Sequence, residues 1–211
     1  MNHATLTPGR PARFPLARGA ALLRALGIVP AAAWCLAPAP VAANPVKSLY
    51  TTIQLGDCKQ TKRHRDGGAW LCRGLNGIPV YVAEGDLRQF VSAGTNAEGR
   101  RAATQTLGPF NSMFERNSRR AAIEWRFERR GERRLPYAMI VRFHTSQEGR
   151  KGDVLVVMKV TERETCHVAH IDALANQNAI TLARFVADQK ARSFDCRSEP
   201  YAEGATGRSP M

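Results

Sequence analysis

Five arginines, Arg126, Arg129, Arg130, Arg133 and Arg134, fall within the nine positions of "RFERRGERR". Guanidinium forks match carboxylate and phosphate oxygens two at a time, so such a run could grip an anion. Glu124, Glu128 and Glu132 interleave with them and leave a local surplus of two positive charges. The simpler reading is a solvated hairpin tip around Gly131-Glu132, whose charges discourage stray strand pairing. The functional alternative makes Arg129, Arg130, Arg133 and Arg134 an anion site. Two more basic stretches, "KQTKRHRD" at 59–66 and the pair Arg100-Arg101, would strengthen that alternative if the fold gathered them on the same face.

Other chemistry-bearing residues are few. Glu84 and Asp86 in "AEGD" are two carboxylates two positions apart, and paired carboxylates roughly 5–9 Å apart hydrolyse glycosides. Acids at a tight turn are more often turn formers. His167 and His170 make an HxxH, but on a strand positions three apart point to opposite faces. The motif also lacks the glutamate of HExxH, so no metal site is expected. His64 and His144 stand alone in the sequence. There is no GxSxG, no glycine-rich nucleotide loop and no CxxC, so no nucleophile, cofactor or zinc motif is present. Aromatic residues make up 7% of the chain, too few to fill a core and also interleave with a basic nucleic-acid surface. Together these absences turn the expectation from an enzyme toward a binding protein.

The start of the chain bears on where that binding would occur. Residues 1–24 carry four arginines and no acid, and the apolar run "ALGIVPAAAWCLA" follows at 25–37. Small residues Val41 and Ala43 then precede Asn44, which completes the pattern of a secretory signal peptide over 1–43. An uncleaved anchor and an organelle transit peptide are the rival readings. The run is short of the roughly 20 residues that span a bilayer, so no transmembrane segment is expected in the mature chain. Cleavage would leave twenty-seven basic and eighteen acidic residues, a net charge of +9. It would also leave four cysteines, Cys58, Cys72, Cys166 and Cys196. An even count after an export signal reads as disulfides, with three connectivities open. Local order favours Cys58–Cys72 and Cys166–Cys196.

The elements that must position these residues are mainly strands. "SLYTTIQL" sets Leu49, Thr51, Ile53 and Leu55 on one face. "GAWLC" and the two runs of "GIPVYVAEGDLRQFVSAG" follow, with Pro79 at an edge or a strand start. Ile123, Trp125 and Phe127 alternate with charged residues and are expected to face the core beside Val141, Met139 and Tyr137. Glu124, Arg126 and Glu128 then face away. "GDVLVVMKVTE" is apolar enough for a central strand, and "CHVAHID" is its expected hairpin partner. Two helices are expected: one over "TNAEGRRAATQTLG" with Asn96 as N-cap, and a stronger one in "NQNAITLARFVADQKARS", where Ala179, Leu182, Ala183 and Val186 form a stripe. The expected fold class is α+β, with antiparallel sheet or sheets, two helices packed on one face, and a ββββα layout that reads as a duplication. Residues 44–197 would be one domain, and the polar residues 198–211 a disordered tail.

The stretches "YVAEGDLRQFVS", "EWRFERR" and "CHVAHIDALAN", spread over most of 50–196, resemble small secreted bacterial proteins of uncharacterised function. The resemblance implies export and size class and assigns no catalytic residue. The combined expectation is a periplasmic or secreted, non-catalytic module that binds an acidic envelope partner, either a lipid phosphate or an acidic protein, and not nucleic acid. An envelope hydrolase using Glu84, Asp86 or the histidines is one alternative, and a structural subunit pairing through a sheet edge is another.

Overall fold

The computed structural model describes residues 48–211 except 116 and 118, so the signal peptide expected over 1–43 lies outside the described residues. Eleven strands and one α-helix make up the described part. They are β1 (Ser48–Gln54), β2 (Lys59–His64), β3 (Gly67–Arg73), β4 (Pro79–Gly85), β5 (Arg88–Ala93), β6 (Phe110–Ser112), β7 (Arg120–Arg130), β8 (Arg133–Gln147), β9 (Arg150–Val160), β10 (Thr165–Asp172), α1 (Ala179–Gln189) and β11 (Tyr201–Ala202). Strands β2–β5 form an antiparallel meander of their own. The other seven form a second sheet in the order β1-β7-β8-β9-β10-β11, with β6 pairing the far end of β8.

Alternation along the strands builds the layers. Ile123, Trp125, Met139, Val141, Val154, Val156 and Met158 leave one face of the large sheet and meet Val80, Val82, Val91 and Ala93 of the small one. Trp125 is fully buried there, and its indole N–H donates to Thr51 Oγ1 at 2.8 Å, which satisfies the ring's one polar atom. Truncating such a side chain to alanine costs about 3–5 kcal/mol. On the opposite face, Ala138, Ile140, Leu155, Val157 and Ile171 receive Ala179, Ala183, Val186 and Ala187 of α1. The result is three layers: helix, seven-stranded sheet, four-stranded sheet. Both disulfides follow local order, Cys58–Cys72 at the start of the small sheet and Cys166–Cys196 from β10 to the segment after α1.

This architecture corrects the α+β expectation of two helices on one sheet face. The described residues are mostly β, with a single α-helix. The stretch expected as the first helix makes two 3₁₀ turns instead, Ala97–Gly99 and Arg101–Thr104. Arg100 between them is extended, at φ −86° and ψ 154°, and the Asn96 side chain makes no capping bond. Gly99 and the missing cap remove the stabilisation that a short isolated helix needs. The ββββα duplication falls with it, because β1 joins the second sheet and the first half supplies no helix.

The segment 198–211 also departs from the disordered tail read from its composition. Tyr201–Ala202 pairs with Ala169–His170 as a short parallel strand. Further on, the fully buried Asp172 carboxylate accepts four backbone N–H groups: Leu174 and Ala175 on Oδ1, Arg208 and Ser209 on Oδ2. Burial alone would raise this carboxyl, but the bonds from Ser209, Arg208 and Ala175 hold it below the usual carboxylate range. Gly152 makes room for the segment, since a Cβ there would lie 2.6 Å from that of Ser209.

Candidate functional site

The arginine hairpin turns at Gly131-Glu132, where Gly131 takes φ +60°. Register across β7 and β8 sets Arg129 opposite Arg134 and Arg130 opposite Arg133. All four side chains are exposed. Arg130 is paired with Glu128 at 2.7 Å, and the same carboxylate takes Arg192, from beyond α1, at 2.7 Å. Arg129, Arg133 and Arg134 have no carboxylate partner among the described residues. Arg134 lies over the Phe127 ring, 6.0 Å from its centroid, and Arg192 over Tyr137 at 3.8 Å, so two flat aromatic surfaces hold guanidinium groups at the base of the tip. The tip therefore presents two directly opposed like-charge pairs plus a fifth arginine that sequence spacing did not point to.

Arg126 is not part of this surface. The face of β7 that alternation assigned to solvent is the seat of α1, and Glu124 and Arg126 are both buried there. Arg126 grips Asp188 with two donors, Nε to Oδ1 at 3.0 Å and Nη2 to Oδ2 at 2.7 Å, and Tyr137 donates its hydroxyl to the same carboxylate at 2.5 Å. Glu124 accepts from Ser48 Oγ at 2.5 Å and from Arg184 Nε at 2.8 Å. Burial alone would raise the Glu124 carboxyl; the Arg184 and Ser48 bonds outweigh it and hold it low. Tyr137 belongs to this helix face and not beside Phe127, because a β-bulge between Arg126 and Phe127 shifts the register.

The other basic stretches do not join the tip. Lys59–His64 is the exposed edge strand β2, and its turn toward β3 lies at the end of the small sheet away from Asn76, whose amide reaches the Arg134 carbonyl. Arg100 donates to the Glu162 carbonyl, and Arg101 pairs with Glu199 at 2.7 Å. Glu84 and Asp86 do not converge either. Glu84 accepts from Gln89 Nε2 at 3.1 Å inside a cleft, while Asp86 sits exposed in the β4–β5 turn beside Arg88.

His167 and His170 share a face after all, because the bulge at Val168 takes one residue out of the strand period. Their rings meet at 3.1 Å, Nδ1 to Nε2, and His167 Nε2 is buried with no partner among the described residues. Burial and the neighbouring His170 push His167 down to about 3, and burial pushes His170 down to about 4. Both rings are held neutral, His167 fully buried and His170 partly exposed. No group of three or more His, Cys, Asp or Glu side chains among the described residues could hold a metal ion. His144 lies apart from this pair, its Nδ1 2.6 Å from Asp153 Oδ1.

A feature with no sequence signature is the open end of the sandwich. There a cleft of about 890 Å3 is lined by Gln60, Arg63, Trp70, Glu84, Gln89 and Phe114. The glycines before Trp70 are its one local cue.

Compared with models of protein families, with curated proteins and with solved structures, the chain matches none. The class is therefore defined by fold and surface: a doubly disulfide-bonded two-sheet β sandwich with one covering helix and an arginine-bearing hairpin tip. No helix among the described residues is long and apolar enough to cross a membrane.

Proposed function

We propose that the chain is a non-catalytic binding module of the periplasm or extracellular space that docks through its β7–β8 tip onto an acidic partner in the cell envelope. The observation that carries this reading is the strand register, which sets Arg129 opposite Arg134 and Arg130 opposite Arg133. Like charges directly opposed across a ladder are destabilising, and an anion seated between them would relieve the repulsion. Among the described residues, three of the four arginines have no internal carboxylate competing for that anion. The two disulfides fit an oxidising compartment. The net charge of +9 over residues 44–211 adds a long-range attraction toward anionic surfaces.

The test is binding of the oxidised protein to vesicles of anionic and of zwitterionic phospholipid, to lipopolysaccharide, and to a soluble acidic protein, each at low and high salt. The proposal expects binding to at least one anionic surface, none to zwitterionic vesicles, and a steep weakening with salt. Preference for lipid or for acidic protein identifies the source of the anion. Absence of binding at low salt, or binding indifferent to salt, overturns it.

A further inference from the structure

The four-stranded sheet carries two adjacent rows on its inner face. One runs Gln60, Trp70, Val82, Val91 across the four strands, and the next runs Arg63, Gly68, Glu84, Gln89. Val82 and Val91 are fully buried under the large sheet. The second row is polar: Arg63, Glu84 and Gln89 line the cleft, with Gln89 buried against the Asn111–Met113 segment. Gly68 is the gap in that row. A Cβ there would lie 3.1 Å from Trp70 Cη2 and 3.1 Å from Gln60 Nε2, so the indole leans over the glycine backbone. Gly67 sits where a Cβ would meet the Glu84 carbonyl oxygen at 2.0 Å, so only glycine fits this close approach of β3 to β4. The indole is thus a half-buried platform at the mouth of a water-accessible cleft, with Phe114 as a second apolar wall.

The polar groups around it are chosen from both sides of hydrogen bonding. Gln89 is held by both its atoms: its oxygen accepts from Met113 N at 2.8 Å and its amide donates to Glu84 Oε2. Glu84 Oε1 is left as an acceptor without a partner among the described residues. Arg63 donates to Gln60 Oε1 at 3.1 Å, which fixes the Gln60 amide as a donor toward the cleft and leaves further guanidinium N–H groups. Among the described lining residues, Arg63 and Arg119 stand against Glu84 and Glu115. An apolar ligand would strand these polar groups in a dry contact. The ligand that answers both features has a flat apolar face for the ring and a girdle of hydroxyls that both donate and accept.

We propose that this cleft binds a neutral oligosaccharide, with Trp70 stacking on a sugar ring and Glu84, Gln60 and Arg63 bonding its hydroxyls. The site lies at the opposite end of β7 from the arginine tip, about 30 Å away at roughly 3.3 Å per residue, and is independent of it.

The test is calorimetric titration of the oxidised protein with short neutral oligomers of N-acetylglucosamine and of glucose, at high salt so that tip electrostatics are screened. Binding of at least one oligomer is expected, with affinity falling about tenfold or more in Trp70→Ala. Arg63→Ala, on the exposed edge strand where folding is not at stake, is expected to lose roughly three- to tenfold, one hydrogen bond's worth. Arg133→Glu/Arg134→Glu at the tip should leave saccharide binding unchanged. No heat with any oligomer, or undiminished binding in Arg63→Ala and Trp70→Ala, overturns the proposal whatever the outcome at the tip.

Discussion

Acid should unfold this protein through a pair of histidines before it protonates a carboxylate. His167 and His170 are held neutral in the fold, with pKa values pushed down to about 3 and about 4 from an ordinary 6.5. In the unfolded chain each titrates near its ordinary value. As pH falls below about 6.5 the unfolded state therefore takes up protons that the native state refuses, and stability falls. The contribution is whole above about pH 6.5 and is lost progressively toward the folded values. Between about pH 7.5 and about pH 5.5 each histidine removes roughly 1.4 kcal/mol, so the pair removes about 3 kcal/mol, a large part of a typical domain's stability. Carboxylates add little in that window because their unfolded pKa values lie near 4. The assay is urea unfolding of the oxidised protein across this range, for the wild type and for His167→Gln/His170→Gln. The wild-type midpoint should fall steeply and the variant's should be much flatter. A flat wild-type profile, or parallel falls in both, refutes the assignment of a neutral pair.

Other perturbations follow from the same geometry. Replacing Cys166 and Cys196 together by serine opens a 30-residue loop and should cost about 4 kcal/mol in the chain-entropy model, against about 3 kcal/mol for the 14-residue loop of Cys58 and Cys72, read from denaturation midpoints. Asp172→Asn replaces one carboxylate oxygen by an NH2 group, so two of the four backbone N–H groups, those of Arg208 and Ser209 on Oδ2, lose their acceptor, at a cost of about 2–4 kcal/mol. Hydrogen exchange should quicken first at Arg208 and Ser209. Asp188→Ala leaves Arg126 buried without its bidentate partner and should cost about 3–5 kcal/mol in thermal or urea unfolding.

Much of the large sheet was legible because alternation reports local facing. Leu49, Ile53, Trp125, Met139 and Val141 all enter the core as the period of two demands. The disulfides were legible from local order, and α1 from its alanine stripe, although Phe185 beside that stripe is left exposed. What alternation cannot report is what covers the other face. Glu124 and Arg126 read as wet, yet α1 returns some sixty residues later to bury them with its own Arg184 and Asp188. The bulges at Tyr137 and Val168 broke the period by one residue each, and so set Tyr137 on the helix face and brought the two histidines together. The cleft brings together residues from distant strands and loops, Gln60, Trp70, Glu84 and Phe114 among them, and only the glycines before Trp70 hint at it locally. At the tip, Arg129, Arg130, Arg133 and Arg134 were legible as a cluster, but their opposition in register and the arrival of Arg192 were not.

The central claim is that the arginine tip holds its charges against folding stability for the sake of an anion. The most direct measurement makes Arg133→Glu/Arg134→Glu and follows stability and anionic-surface binding in the same protein. Each substitution turns an opposed like-charge pair into an ion pair, so stability should rise by about 0.5–1 kcal/mol. Binding to the anionic vesicle, lipopolysaccharide or acidic protein that the wild type engages at low salt should be lost. A variant that is no more stable, or that binds as the wild type does, contradicts the account.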